Sequence, residues 1–166
     1  MTLRILCIGD PHFRLDNLEH VVEYIDKVDA LCRLERPDII CILGDLLHTH
    51  ERLHTNVLNK AHEFVEKCSQ HSPTYVLVGN HDYINNQQFL TTNHWCTSLR
   101  KHPQVHIIDK VVDVNLKGHR IILLPYVYPG RFQEALDTNP NQCDDDIALI
   151  LCHQEFLGCK MGAMIS

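Results

Sequence analysis

No two cysteines in this sequence have Cys-x-x-Cys spacing, no apolar stretch approaches the roughly 20 residues that cross a bilayer, and positive charge is in deficit. Each absence removes a class of protein. Without paired cysteines there is no sign of a zinc ribbon or finger, and without a long apolar run the chain is expected to be soluble, with no membrane partner. The 15 Lys and Arg against 21 Asp and Glu give a net charge of −6, which argues against a broad basic surface that grips nucleic acid. If the chain handles nucleic acid, cations must supply much of the positive charge. Internal repeats and low-complexity linkers are also missing, so the 166 residues read as one domain, 1–166.

What is present is ordinary globular composition, 45% hydrophobic and 22% charged, with an excess of histidine, thirteen in all. Eight cysteines could form four disulfides, yet the N-terminus lacks the charged start and apolar core of a secretory signal. The expected setting is therefore a reducing intracellular compartment, cytoplasmic or nuclear, with Cys7, Cys41 and Cys152 as core thiols inside strands.

The apolar periodicity alternates between strand and helix. Leu3 to Ile8 reads as a buried strand. Asp16 and Glu19 resemble a capping box that opens a helix running to about Arg36, where Pro37 ends it. Ile39 to Leu43 is a second strand, Thr55 to about His71 a second helix, and Thr74 to Val78 a third strand. This βαβαβ order predicts parallel strands whose C-terminal ends open onto one edge of the sheet, where ligands bind. Beyond it, Val111 to Leu116, Lys117-Gly118 and Arg120 to Leu124 spell an antiparallel hairpin, and Ile147 to Cys152 a late strand. The Asp144 to Asp146 run reads as a solvated loop.

Chemistry-bearing residues fall at the strand ends: Asp10-Pro-His12, Gly44-Asp45, Gly79-Asn80-His81-Asp82 and His153. In a parallel arrangement they converge, although each alone is more often a cap or a solvated side chain. Carboxylate and amide oxygens mixed with imidazole nitrogens suit Mn, Fe or Zn. Two such ions can clamp a phosphoryl group and acidify a water, with Asp45 the natural bridge. Gly9, Gly44 and Gly79 precede these residues, as sharp turns with unusual dihedrals require. Six other histidines, at 20, 62, 71, 94, 102 and 106, have no motif context and read as surface or core residues. Tyr126, Tyr128 and Phe132 either line a cleft or pack a core rim.

Those motifs, in that order, resemble the calcineurin-like metallophosphoesterases from Leu3 to Phe156. The resemblance implies a sandwich of two mixed β-sheets flanked by helices (αββα) and two divalent metal ions, manganese first and Fe or Zn next. Asp10, His12 and Asp45 would hold one ion, and Asp45, Asn80 and His153 the other. His81 would serve the leaving oxygen, with Asp82 orienting its imidazole, as a metal-bridging water attacks phosphorus without a covalent enzyme intermediate. The runs Gly44-Asp45-Leu46-Leu47-His48 and His153-Gln154-Glu155-Phe156 look most like the SbcD-like DNA repair nuclease branch. That likeness gives His48 a substrate-positioning role and implies a DNA substrate, a homodimer or an ATPase partner. His50 and His54 have no counterpart in the pattern.

The family's Gly-His-x-His is absent after His153, which reads as truncation of the final strands and predicts an apolar face or unpaired edge. Two other functions fit the same residues: a phosphomonoesterase acting on phosphoprotein or metabolite, and an inactive interaction module that keeps the fold.

Overall fold

The computed structural model describes residues 2–50, 52–141, 146–161 and 164–165. Four short apolar runs build a first sheet: β1 (Ile5–Ile8), β2 (Ile39–Ile42), β3 (Thr74–Leu77) and β4 (Val105–Ile108), in that spatial order and parallel throughout. Every residue of β2 and β3 is buried, as continuous apolar strands covered on both faces require. One face packs on two helices, α1 (Leu18–Glu35) and α2 (Thr55–His71). Val21, Ile25, Val28 and Cys32 of α1, with Ala61, Phe64, Val65 and Cys68 of α2, meet Ile40, Ile42, Val76 and Val78 there. These are the stripes that the 3.6-residue period marks in the sequence.

The other face packs on a second sheet, made of β5 (Val112–Leu116), β6 (His119–Leu124) and β7 (Ile147–Cys152). β5 and β6 form the expected antiparallel hairpin, while β7 joins β6 in parallel. Ile39, Cys41, Tyr75 and Leu77 interleave with Ile121 and Leu123 between the sheets. The outer face of β6 presents Ile122 and Leu124 to a short helix, α3 (Phe132–Asp137). Helices, sheet, sheet and helix thus stack in the αββα order. An antiparallel pair, β8 (Lys160–Met161) and β9 (Met164–Ile165), follows.

Several local expectations need correction. The first sheet is purely parallel and only the second is mixed. Asp16 does not cap α1: a 3-10 turn over Leu15–Asn17 precedes it, Asn17 stands at the cap, and its Oδ1 accepts from Arg14 N at 2.8 Å. β4 went unread because His106 interrupts its apolar run, and α3 because six residues are too few to show a period. His106 lies in β4 and not in a helix or loop. Cys7 is exposed, since it sits on the edge strand β1. Among the described residues the edges β1 and β7 flank an open apolar groove of about 540 Å³ lined by Leu3, Ile5, Ile121 and Leu149. Leu149 and Ile150 of the edge strand β7 are each 38% exposed. Of the acidic run, Asp144 and Asp145 lie outside the described residues, and Asp146 pairs with Arg120 at 2.7 Å. Among the described residues no helix is long and apolar enough to cross a membrane.

Candidate metal centre

The loops that follow β1 and β2 continue the sheet's hydrogen bonding. His12 N donates to Asp45 O at 3.0 Å, Phe13 N to Leu46 O at 2.8 Å, and Phe13 and Leu47 form an isolated parallel bridge. Within this zipper Asp10, His12 and Asp45 take left-handed backbone conformations, with φ of 36°, 47° and 50°. Such conformations cost about 1–3 kcal/mol each in non-glycine residues and gather at functional sites. Three of the residues picked from sequence as ligands therefore carry backbone strain that the surrounding structure must hold.

The glycines serve this approach in different ways. Gly44 has φ of 105°, and a Cβ there would come within 2.6 Å of His153 Nδ1. Gly79 needs no unusual dihedral; its Cβ would instead strike the backbone N and Oδ1 of Asp45. Gly9 has neither property, with nothing within 4 Å of an added Cβ, so the reading that it repeats the device is corrected.

Asp45 is buried, 4% exposed, and its two carboxylate oxygens have different tasks. Oδ1 accepts from His81 N at 2.9 Å. Oδ2 faces three imidazoles: His12 Nε2 at 3.6 Å, His153 Nε2 at 3.5 Å and His81 Nε2 at 4.0 Å. Ligand atoms of His12, Asp45 and His81 all lie within 4.8 Å of one another. Burial, with the neighbouring His81 and His48, outweighs Asp45 and holds the His12 imidazole below its ordinary pKa. The neutral ring that results is the form that binds metals.

On the far side, His153 Nδ1 donates to Leu43 O at 2.7 Å, which leaves Nε2 as a lone pair. His153 Nε2 stands 3.0 Å from Asn80 Oδ1 and 3.5 Å from Asp45 Oδ2. Carboxylate and amide oxygens gathered around imidazole nitrogens at this spacing are a donor set that fits divalent metal. Histidines whose second nitrogen is held by a backbone carbonyl are the usual oriented ligands. Asp10 is the loosest member: its side chain is 60% exposed, and Oδ1 reaches His153 Nδ1 at 3.5 Å rather than the His12 ring.

His81 is oriented by a group the sequence does not reveal. Its Nδ1 donates to the backbone carbonyl of His48 at 2.7 Å, which frees Nε2 toward Asp45. The Asp82 carboxylate, expected to do this, is fully engaged elsewhere. It is buried and accepts from Trp95 Nε1 at 2.9 Å, Gly79 N at 3.0 Å and Leu47 N at 3.3 Å. Its role is to tie the Asn80 loop to the Asp45 loop. Burial pushes its pKa up to about 6 from 3.8, against the three donors.

Two results follow for Asp82. Asp82→Ala should cost about 3 kcal/mol or more in denaturant unfolding, because three buried N–H groups lose their acceptor. In addition, a carboxyl whose pKa is higher folded than unfolded stabilises fully below about pH 4, and that contribution is lost as pH rises through about 6. The stability gap between wild type and Asp82→Asn should accordingly shrink from pH 4 to pH 7, and a gap that widens would contradict the assignment.

The centre opens into a cleft of about 770 Å³ lined by Asp10, Asp45, Asn80 and His153 together with Tyr126, Phe132 and Phe156, and the Tyr126 ring meets that of His153 edge-on with centroids at 6.3 Å. Of the three aromatic candidates, Tyr126 and Phe132 line it, while Tyr128, 46% exposed, does not. His48 lies beside the centre, with its Nδ1 3.3 Å from that of His12. Sequence reasoning missed Trp95, the carbonyls of Leu43 and His48, and His50, whose ring stacks on His81. Only the side chains among these leave any trace in sequence, and that trace is no more than proximity to a motif.

Comparison with known proteins gives the family. The family model described as calcineurin-like phosphoesterase matches residues 3–157. A protein of Invertebrate iridescent virus 6 named "Putative phosphoesterase 244L" is 48% identical over 164 residues, covering 98% of this chain and 57% of its own length. "Putative phosphoesterase 078R" of Invertebrate iridescent virus 3 is 43% identical over 163 residues, covering 98% and 47%. "Uncharacterized metallophosphoesterase Cj0846" of Campylobacter jejuni is 27% identical over 106 residues, covering 64% and 25%. The chain spans about half the length of the two viral relatives. With its αββα layers and its ligand-type residues gathered at strand ends, the chain belongs to the calcineurin-like phosphoesterase family.

Proposed function

We propose that this protein hydrolyses phosphodiester bonds of nucleic acid with two divalent cations, manganese foremost. Asp10, His12 and Asp45 would hold one ion and Asp45, Asn80 and His153 the other, with Asp45 shared. The observation that carries the reading is the convergence of His153 Nε2, Asn80 Oδ1 and Asp45 Oδ2, a set of metal-type donor atoms at the lining of a substrate-sized cleft. When bound, the ions supply positive charge against the phosphate and lower the pKa of water.

The protein's own groups do the rest. His81, held through its Nδ1–H, would act with a second proton on Nε2, giving that proton to the leaving oxygen and returning to the neutral Nδ1–H ring. The Asp45 carboxylate is fixed by the His81 amide, so its orientation needs no rearrangement during the reaction. His48 sits beside His12 and is placed to position the substrate phosphate. Tyr126, Phe132 and Phe156 give the cleft an aromatic arm suited to stacking a base next to the scissile phosphate.

A phosphomonoesterase is the second reading, favoured by the absence of Lys or Arg from the described cleft lining. A nuclease would then need basic surface from a second copy or an ATPase partner. Initial rates on a nucleotide diester and on its monoester, each with manganese and with chelator, separate the two. The nuclease reading expects the diester to be cleaved at least about 10-fold faster, with chelation abolishing both rates. Preference for the monoester overturns it. A third outcome, no metal uptake by elemental analysis, identifies a module that keeps the fold without catalysis.

A further inference from the structure

His50 lies outside the motif pattern, yet its ring is placed against the reactive histidine. The His50 and His81 imidazoles are near-parallel, 9° apart, with centroids at 4.9 Å. His50 is tied to the interior at one atom, its Nδ1 donating to Tyr83 O at 3.1 Å, and its ring and that of His81 restrict each other by stacking. Tyr83 itself is fully buried, so this anchor belongs to the rigid interior. His81 makes a second near-parallel contact with His48, 11° apart with centroids at 5.3 Å, and His12 meets both rings edge-on.

A ring tied by one hydrogen bond at Nδ1 keeps a torsional freedom, since rotation about the side-chain bonds can swing Nε2 while the bond bends. Nε2 of His81 is the atom the proposed mechanism uses. A planar neighbour at stacking distance removes that freedom, because turning the His81 ring out of parallel would drive its edge into the neighbour's face. His48, itself held to His12 through Nδ1 at 3.3 Å, is a second parallel neighbour at the longer centroid distance, so the restraint on His81 is shared between two rings and His50 supplies the nearer one.

We propose that His50 is a positioning residue: it holds the His81 imidazole in the plane from which Nε2 serves the leaving oxygen. The role calls for a flat ring and not for an ionisable one. It rests on the phosphoesterase reading above, and two measurements keep the two ideas separable.

The first is kinetic, on His50→Ala and His50→Phe. Proton delivery to the leaving oxygen matters most when that oxygen is a poor leaving group. For an alkyl or nucleoside ester His50→Ala should lose about 10-fold in kcat with KM within about twofold, and for a nitrophenyl ester the loss should shrink to about twofold. His50→Phe keeps the flat neighbour and should recover most of the lost rate. Equal losses on both esters, or a Phe variant as slow as Ala, overturn the proposal.

The second needs no activity. In the metal-free protein, side-chain nitrogen shifts should show His81 as a single Nδ1–H tautomer in wild type and in His50→Phe, and as an averaged, broadened ring in His50→Ala. A His81 signal unchanged in His50→Ala also overturns it. If wild type shows no hydrolysis at all, the functional reading falls, while the spectra still decide whether His50 orders the ring.

Discussion

The Asp45→Asn variant is expected to stay folded and to lose its response to manganese. In wild type, manganese at about 100 times its dissociation constant should stabilise the fold by about 2.7 kcal/mol, which for a chain of this size is about 5–10 °C in Tm. The shift disappears in the variant because Oδ2, which lies within 4.0 Å of His12, His81 and His153, is replaced or loses its charge. Folding survives because an asparagine oxygen can still accept from His81 N, which Oδ1 now does at 2.9 Å. In the metal-free state the variant should melt at or above wild type, since a buried carboxylate is a burden without cations. Hydrolysis should fall by about 10²-fold or more, the scale on which removing one preorganised charge-stabilising group acts. A variant that keeps the full manganese shift would remove Asp45 from the metal centre.

Gly79→Ala should be strongly destabilising, with the closest contacts of an added Cβ at any of the described glycines. The added carbon has no flexible neighbour to displace: it meets the backbone N of Asp45 and the Oδ1 that His81 N already holds, with Asp45 Cγ at 3.0 Å. The Asp45 backbone is pinned in turn by the bond from His12 N. Overpacking against immobile backbone belongs at the upper end of such costs, about 3 kcal/mol, or roughly 6–12 °C in Tm. Gly9→Ala is the internal control. It heads the equivalent loop of β1 with nothing within 4 Å, so its effect should stay within about 0.5 kcal/mol. Equal melting of the two variants would show that Gly79 marks an ordinary turn.

The contrast between these glycines shows what could be read from the sequence. Their positions before ligand-type residues look alike, and only packing tells which is needed. The helices α1 and α2 were legible because five or more apolar residues repeat on one face, and β1 to β3 because uninterrupted apolar runs lie between turn residues. β4 was not, since His106 breaks a four-residue run that follows Pro103. The ligand-type residues were legible for a topological reason: parallel strands put all their C-terminal ends on one edge. How those residues are held was hidden. Leu43 and His48 orient His153 and His81 through backbone carbonyls, which every residue possesses and no side-chain pattern reports. Asp82, adjacent to His81 in sequence, turns away from it to meet Trp95, a partner thirteen residues on.

The bridge between Phe13 and Leu47, with its flanking bonds from His12 and Phe13, has a consequence for how the molecule comes apart. Catalytic loops commonly open on their own, at a small fraction of the free energy that unfolds the whole domain. Here the loops after β1 and β2 are stitched to each other beside Phe13, which is 2% exposed and packs against Tyr24 and Phe64. Opening them means pulling an aromatic ring out of the helical layer. The strained backbone around His12 and Asp45 is thus kept in place by the same cooperative unit that holds the core, and the centre should persist until the domain itself unfolds.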